Sequence, residues 1–150
     1  PYENESVDEI RADCVLEHLS FIEESKFFYE VSRVLRKGGV LEISVPNFEF
    51  MIKTWLEAED DWQEFFRDDI EAIEQSHWFG QYSYSTDNKW GYLCACIYGP
   101  QNGAGQFHKN AYTIPKIEAI FRKLEFDNVK IGHFRWKRDR DLMIRARGIK

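Results

Sequence analysis

The chain has 150 residues, room for one domain and little for two. Hydrophobic residues at 43% and aromatic residues at 16% supply a core and exclude a disordered polar chain. Twenty Lys and Arg face 26 Asp and Glu, a net charge of −6 that argues against binding nucleic acid through bulk positive charge.

The longest apolar run, Tyr92 to Tyr98, is far too short to cross a bilayer. Pro1-Tyr2-Glu3-Asn4-Glu5 is polar and acidic, unlike a secretory signal. Three cysteines are an odd number, so a disulfide framework is not expected and a reducing cytoplasm is. The absence of an initiating Met reads as a chain cut from something longer.

Ser6 to Cys14 reads as a strand, because Ile10, Ala12 and Cys14 alternate with Glu9, Arg11 and Asp13. Ser20-Phe21-Ile22-Glu23 is a capping box that starts a helix. Phe27, Phe28, Val31, Val34 and Leu35 lie at helical spacing on one face, and Arg33, Arg36 and Lys37 suit the last turn. Gly38-Gly39 is expected to end that helix. Val40 to Val45 follows as an apolar strand stopped by Pro46. Strand, long crossover helix and strand make a parallel βαβ unit.

The middle of the chain reads as a helical and aromatic insertion at about 47–106. Asn47 can cap a helix through about Ala58, and Asp60 or Asp61 a second one to about Ser76, with Trp62, Phe66 and Ile73 on its apolar stripe. His77 to Asn88 is turn-like. Tyr92 to Tyr98 is a helix or a short buried strand, and its periodicity does not choose. Gly99 to Gly105 is a loop. Thr113 caps a last helix, with Pro115 in its first turn and Ile117, Ile120, Phe121 and Leu124 on its buried face. Val129 to Phe134 and Leu142 to Arg147 are strands, joined through Arg138-Asp139-Arg140-Asp141 as an antiparallel hairpin.

Two groups of residues carry a resemblance. The first is Ser6-Val7-Asp8-Glu9-Ile10, Val15-Leu16-Glu17-His18-Leu19, Arg33-Val34-Leu35-Arg36-Lys37-Gly38-Gly39 and Ile43-Ser44-Val45-Pro46. The second is Tyr98-Gly99-Pro100-Gln101, Gln106-Phe107-His108-Lys109 and Tyr112-Thr113. In order and spacing they resemble the C-terminal half of a class I S-adenosylmethionine-dependent methyltransferase. The nearest look-alikes are the small ones associated with glycan or surface-polysaccharide synthesis.

The resemblance implies an α/β, Rossmann-like fold. It predicts a mixed sheet of about four main strands with a C-terminal antiparallel hairpin, as one truncated domain over 1–150. The family's fold carries helices on both faces of its sheet. Its glycine-rich cofactor loop and its ribose-binding acid precede the counterpart of Ser6, so this chain is expected to represent the later strands alone. Cofactor binding is then a property of the complete domain. The resemblance also leaves the outer side of the first strand without its usual neighbour, which predicts a homo-oligomer.

Ligands of open α/β sheets bind outside the carboxyl ends of the strands. By resemblance, Cys14, Val15 and Glu17 line the S-adenosylmethionine site. Asn47, Gln101 and Phe107 face a small-molecule or glycan acceptor, and His18 and His108 are the catalytic candidates. Methyl transfer from a sulfonium needs positioned reactants and at most the removal of a proton.

Each residue also has a plainer reading. His18 can cap local backbone, His108 can be a strut that orders its loop, and Glu17 can be a buried partner of a backbone donor or of Arg33. Cys94 and Cys96, with His77 and His108, invite a metal, but their apolar neighbours favour small buried hydrophobes and no metal is expected. The acidic stretch from Asp60 to Glu74 reads as a solvated face. Trp78, Phe79, Tyr82 and Tyr84 suit either stacking on a ring or covering a sheet end. The alternative to an enzyme is an interaction or regulatory module that retains half of the methyltransferase fold.

Overall fold

The computed structural model describes residues 2–57, 89–101, 103–136 and 139–150. In chain order they form β1 (Val7–Asp13), a 3-10 turn (Leu16–His18), α1 (Phe21–Val34), β2 (Leu35–Pro46) and α2 (Phe48–Leu56). Then follow α3 (Lys89–Tyr98), α4 (Ile114–Lys123), β3 (Asp127–Trp136) and β4 (Asp139–Ile149). The chain divides into two compact units, Pro1–Glu49 with Lys109–Lys150, and Phe50–His108.

The first unit is built on a four-stranded mixed sheet of order β1-β2-β4-β3. β1 and β2 run parallel, with Ala12 opposite Ile43 and Asp13 opposite Ser44. β4 is antiparallel to both β2 and β3. This is the α/β architecture that the sequence predicts, with its parallel unit and its closing hairpin. Leu41, Ile43 and Val45 of β2 are fully buried in one cluster with Phe28 and Val31 of α1 and Ile117 and Phe121 of α4. Burying each such side chain contributes about 1.5–3 kcal/mol. The intervening residue Glu42 points the other way. It lies in register with Arg11 on one side and Arg147 on the other, at 3.6 and 4.0 Å. Period-two alternation thus makes one face of the sheet apolar and the other a row of charges.

Both helix starts follow their sequence signals. Ser20 Oγ accepts from the Glu23 N–H at 3.4 Å, and the Ser20 N–H donates to Glu23 Oε2 at 2.7 Å, completing the capping box. Thr113 Oγ1 accepts from the Lys116 N–H at 3.4 Å, with Pro115 in the first turn of α4.

The end of α1 differs from the sequence reading. The helix stops at Val34, and Leu35 already belongs to β2, paired with Val7. Leu35 is fully buried in the core, so burial takes it out of the helix. Arg36 bonds Asp8 across the strands instead of completing a last turn. The pairing then slips, so that Glu9 meets Val40. Gly38 and Gly39 absorb the slip. Gly38 has φ +77°, and a Cβ on Gly39 would lie 2.9 Å from the Arg36 carbonyl oxygen and 3.0 Å from that of Asp8. The hairpin strands are also longer than expected, because the ladder continues from Trp136 opposite Asp139 to Asp127 opposite Ile149.

In the second unit, Tyr92 to Tyr98 lies within a helix, α3. Three consecutive residues, Cys94, Ala95 and Cys96, are buried there. A segment covered on successive sides shows neither helical nor strand periodicity, which is why its pattern did not choose. Cys94, Cys96 and the half-buried Cys14 form no disulfide. After α3, Gly99 turns the chain with φ +80°, and a Cβ there would sit 1.9 Å from the Gln106 carbonyl oxygen. Gly99→Ala is therefore expected to lower stability by about 2 kcal/mol or more, since left-handed backbone alone costs a non-glycine roughly 1–2 kcal/mol. Thermal unfolding checks it, and an unchanged midpoint would refute the turn geometry.

The expected helix from Asp60 to Ser76 and the aromatic stretch from His77 to Asn88 lie outside the described residues. Among the described residues, no helix is long and apolar enough to cross a membrane.

Candidate functional site

Parallel strands end on the same side, so the residues after Asp13 of β1 and after Pro46 of β2 share one rim of the first unit. Cys14 leaves β1 with φ +53°, its N–H donating to the Ser44 carbonyl at 2.9 Å. Ser44 Oγ donates to Asp13 Oδ1 at 2.7 Å and holds that carboxylate below its usual range. Burial, reinforced by the charges of Glu17 and Asp13, pushes the Cys14 thiol up to about 11. The thiolate is the reactive form. At pH 8, Cys14 is expected to react with iodoacetamide about a hundredfold more slowly than an unperturbed thiol. Mass spectrometry of timed digests measures this, and modification at the free-thiol rate would contradict the assignment.

The next residues close the 3-10 turn through His18 N–H to Val15 O and Leu19 N–H to Leu16 O, both at 3.1 Å. Leu16 is fully buried and anchors the turn in the core, whereas Val15 remains 41% exposed at the rim. Glu17 is drawn inward with Leu16 and is only 2% exposed. Its carbonyl oxygen accepts from the N–H groups of Lys109 and Asn110, at 2.7 and 3.1 Å. Its carboxylate oxygen Oε2 has no hydrogen-bond partner among the described residues. Burial pushes the Glu17 carboxyl up to about 7, against a smaller opposing effect of a hydrogen bond with its own backbone. A ring nitrogen of His18 lies within 4.8 Å of the carboxylate. Arg33, the partner considered for Glu17 from sequence, bonds Glu30, Asn4 and the Tyr2 carbonyl instead.

Asn47, at the end of β2, is 4% exposed. Its N–H donates to the Leu142 carbonyl at 2.7 Å, and its Nδ2 lies 3.4 Å from Nε2 of His133. A backbone bridge joins it to Tyr112. Tyr112 is itself almost fully buried, and its hydroxyl lies 3.4 Å from the Leu16 carbonyl and donates to Glu24. Burial first, then the Glu24 contact, raises the Tyr112 hydroxyl well above its ordinary value. Lys116 completes the cluster, 2.9 Å from Glu24 Oε1, 2.7 Å from Asn110 Oδ1 and 4.0 Å above the Tyr112 ring. Sequence reasoning did not single out Tyr112, Glu24 or Lys116 as rim residues. Of the three, only Tyr112 belongs to the sequence motifs, in the Tyr112-Thr113 pair.

The rim of the first unit thus brings together Cys14, Val15, Glu17, His18 and Asn47. Gln101, Phe107 and His108 belong to the second unit. There His108 Nδ1 donates to the Cys96 carbonyl at 2.9 Å, and its N–H donates to the Tyr98 carbonyl at 3.0 Å. These bonds make it a strut across the loop. Gln101 has φ +56°, and Phe107 is 44% exposed.

No family model and no curated protein matches the sequence. Solved structures do match it in three dimensions. An S-adenosylmethionine-dependent methyltransferase from Methanosarcina mazei superposes with TM-score 0.54 at 15% identity, over 99% of this chain and 61% of that one. One from Archaeoglobus fulgidus gives 0.53 at 12% identity, over 99% and 62%. A possible histamine N-methyltransferase from Thermotoga maritima gives 0.51 at 13% identity, over 100% and 58%. The chain therefore spans about three fifths of the length of these proteins. At such identities the likeness is one of fold, and this chain shares the mixed α/β fold of these three proteins.

Proposed function

We propose that the protein acts in the transfer of a methyl group from S-adenosylmethionine to an oxygen or nitrogen of a small-molecule or glycan acceptor. The observation that supports this most is the rim after β1. There a buried carboxylate with one unengaged oxygen stands at the carboxyl end of a parallel strand pair. That end is where open α/β sheets receive their ligands.

The residues present fit a sulfonium donor. Cys14, its thiol pushed up to about 11, stays protonated at neutral pH and does not compete for the methyl group as a thiolate. Val15 offers an exposed apolar surface to a flat ring. An anionic oxygen of Glu17 suits a cation. Cys14 and Val15 are accordingly the residues that would hold the donor, with Glu17 at the boundary between donor and acceptor. The resemblance offers Asn47, Gln101 and Phe107 as residues for the acceptor, and His18 and His108 as further candidates for proton handling.

When bound, the donor supplies an electrophilic methyl carbon open to in-line attack. The protein's own part is to align the acceptor, exclude water and receive a proton. Calorimetric titration of the entire protein with S-adenosylhomocysteine tests the reading, followed by transfer of a labelled methyl group to hydroxylated and amino acceptors. Micromolar binding and labelled product are expected. No binding and no transfer would refute it.

A further inference from the structure

Among the described residues, the buried polar side chains are Glu17, Ser44 and Asn47. Ser44 is engaged by Asp13, and Asn47 lies beside His133. Glu17 alone of the three has a buried oxygen, Oε2, without a hydrogen-bond partner among the described residues. Native proteins satisfy nearly all buried polar atoms, so such an orphan calls for a reason. Its position supplies one. The backbone of Glu17 is fixed by the 3-10 turn and by two N–H donors to its carbonyl, so the base of the side chain is held in place. The turn follows the carboxyl end of β1 in the parallel pair, the end at which open α/β sheets receive their ligands.

Resting on the methyltransferase reading above, we infer that Glu17 Oε2 is the proton acceptor of the reaction, taking the proton from the hydroxyl or amine that receives the methyl group. The oxygen accepts a hydrogen bond from the acceptor's O–H or N–H. As the new bond to the methyl carbon forms and the carbon–sulfur bond breaks, the proton passes to Oε2. The positive sulfonium becomes a neutral thioether, and the negative carboxylate becomes a neutral acid. Two opposite charges disappear together, which a site removed from water favours. The environment suits the task, since burial already brings the carboxyl to about 7, close to the pH at which a general base works best. Among the described residues of its unit, the titratable groups around Glu17 include Cys14, His18, Tyr112 and Lys109. Cys14 and Tyr112 stay protonated and neutral at that pH, and His18 stands at the edge of the same turn.

Carbon-13 NMR of the side-chain carboxyls in the entire protein, assigned with Glu17→Gln, provides a test that does not depend on turnover. With S-adenosylhomocysteine, a neutral thioether, Glu17 is expected to titrate near 7. With S-adenosylmethionine its midpoint should fall by about one unit or more, because a positive charge within a few ångströms favours the carboxylate. Equal midpoints with the two ligands would overturn the inference while leaving the function intact. No binding of either ligand would overturn the function reading itself. In turnover, Glu17→Gln is expected to lower kcat by about 10²–10⁴-fold. Its affinity for S-adenosylhomocysteine should stay within about threefold, a difference well under 1.4 kcal/mol. An affinity loss as large as the loss of kcat would make Glu17 a residue that holds the donor, and the inference would fall.

Discussion

Glu17→Gln is expected to stabilise the protein by about 3 kcal/mol at pH 8 and to change its stability little at pH 4. The Glu17 carboxyl is raised from 4.5 to about 7 by burial, and each unit of such a shift is worth about 1.4 kcal/mol. The sign follows from linkage. Below the unfolded value the side chain is protonated in both states and burying it carries no charge penalty. As pH rises through 4.5 the unfolded chain releases the proton while the native state keeps it, so stability falls. Above about 7 the native carboxyl is ionised as well, and the loss stops growing. Gln presents a neutral amide of similar shape and avoids the penalty. Urea unfolding of both proteins between pH 4 and pH 9 measures the difference. A gap that does not change with pH would show that Glu17 titrates normally. Together with the proposed proton transfer, this describes a residue whose removal strengthens the fold and weakens the chemistry, an exchange common at functional sites.

The second large effect is expected at Tyr112. Tyr112→Ala should cost about 3–5 kcal/mol, the range for emptying a buried aromatic site, because the side chain is 1% exposed and packs in the main core. Tyr112→Phe isolates the hydroxyl and should cost about 1.5–3 kcal/mol, the range for a hydrogen bond to a charged group. The partner is Glu24. Burial alone would raise the Glu24 carboxyl, but hydrogen bonds from Tyr112 and Lys116 outweigh it and hold it below its usual value. That contribution is present above the unfolded value and is lost as pH falls through the folded one. The acid limb of the stability profile should therefore be shallower in Tyr112→Phe than in the wild type. A double-mutant cycle with Glu24→Gln checks the pairing. Strict additivity would mean that the hydroxyl and the carboxylate stabilise the fold independently.

The parts of this fold that could be read in advance are those written in neighbouring residues. The alternation of β1, the Ser20 capping box and the Thr113 cap with Pro115 each depend on a few consecutive positions, and each appears as expected. The parts that escaped depend on distant ones. Leu35 leaves its helix because it fills a core position and pairs with Val7. Nothing local distinguishes it from Val34. Likewise α3 hides its periodicity behind burial on successive sides.

The rim follows the same division. Cys14, Glu17, His18 and Asn47 could be placed there because a parallel strand end is a local signal with a global meaning. Arg33 does not pair with Glu17 because the helix sets Glu30 one turn before it, and Asn4 and the Tyr2 carbonyl, about thirty positions earlier, take its other bonds. The Tyr112–Glu24–Lys116 cluster joins residues about ninety positions apart, and sequence carries no mark of that.

The order of the strands also sets a timetable for synthesis. Val40 of β2 pairs with Ile149 of β4, more than a hundred residues later in the chain. At translation rates of about 5–20 residues per second, that separation is a wait of roughly 5–20 s. During it Leu41, Ile43 and Val45 have emerged from the ribosome with β1 and α1 as companions, but without the strand that closes their other side. A half-paired apolar strand is a template for a neighbouring nascent chain. Chaperone capture of the β1–α1–β2 segment during translation, or a low yield when many ribosomes read one message at once, is the cellular counterpart of placing β4 at the centre of the sheet.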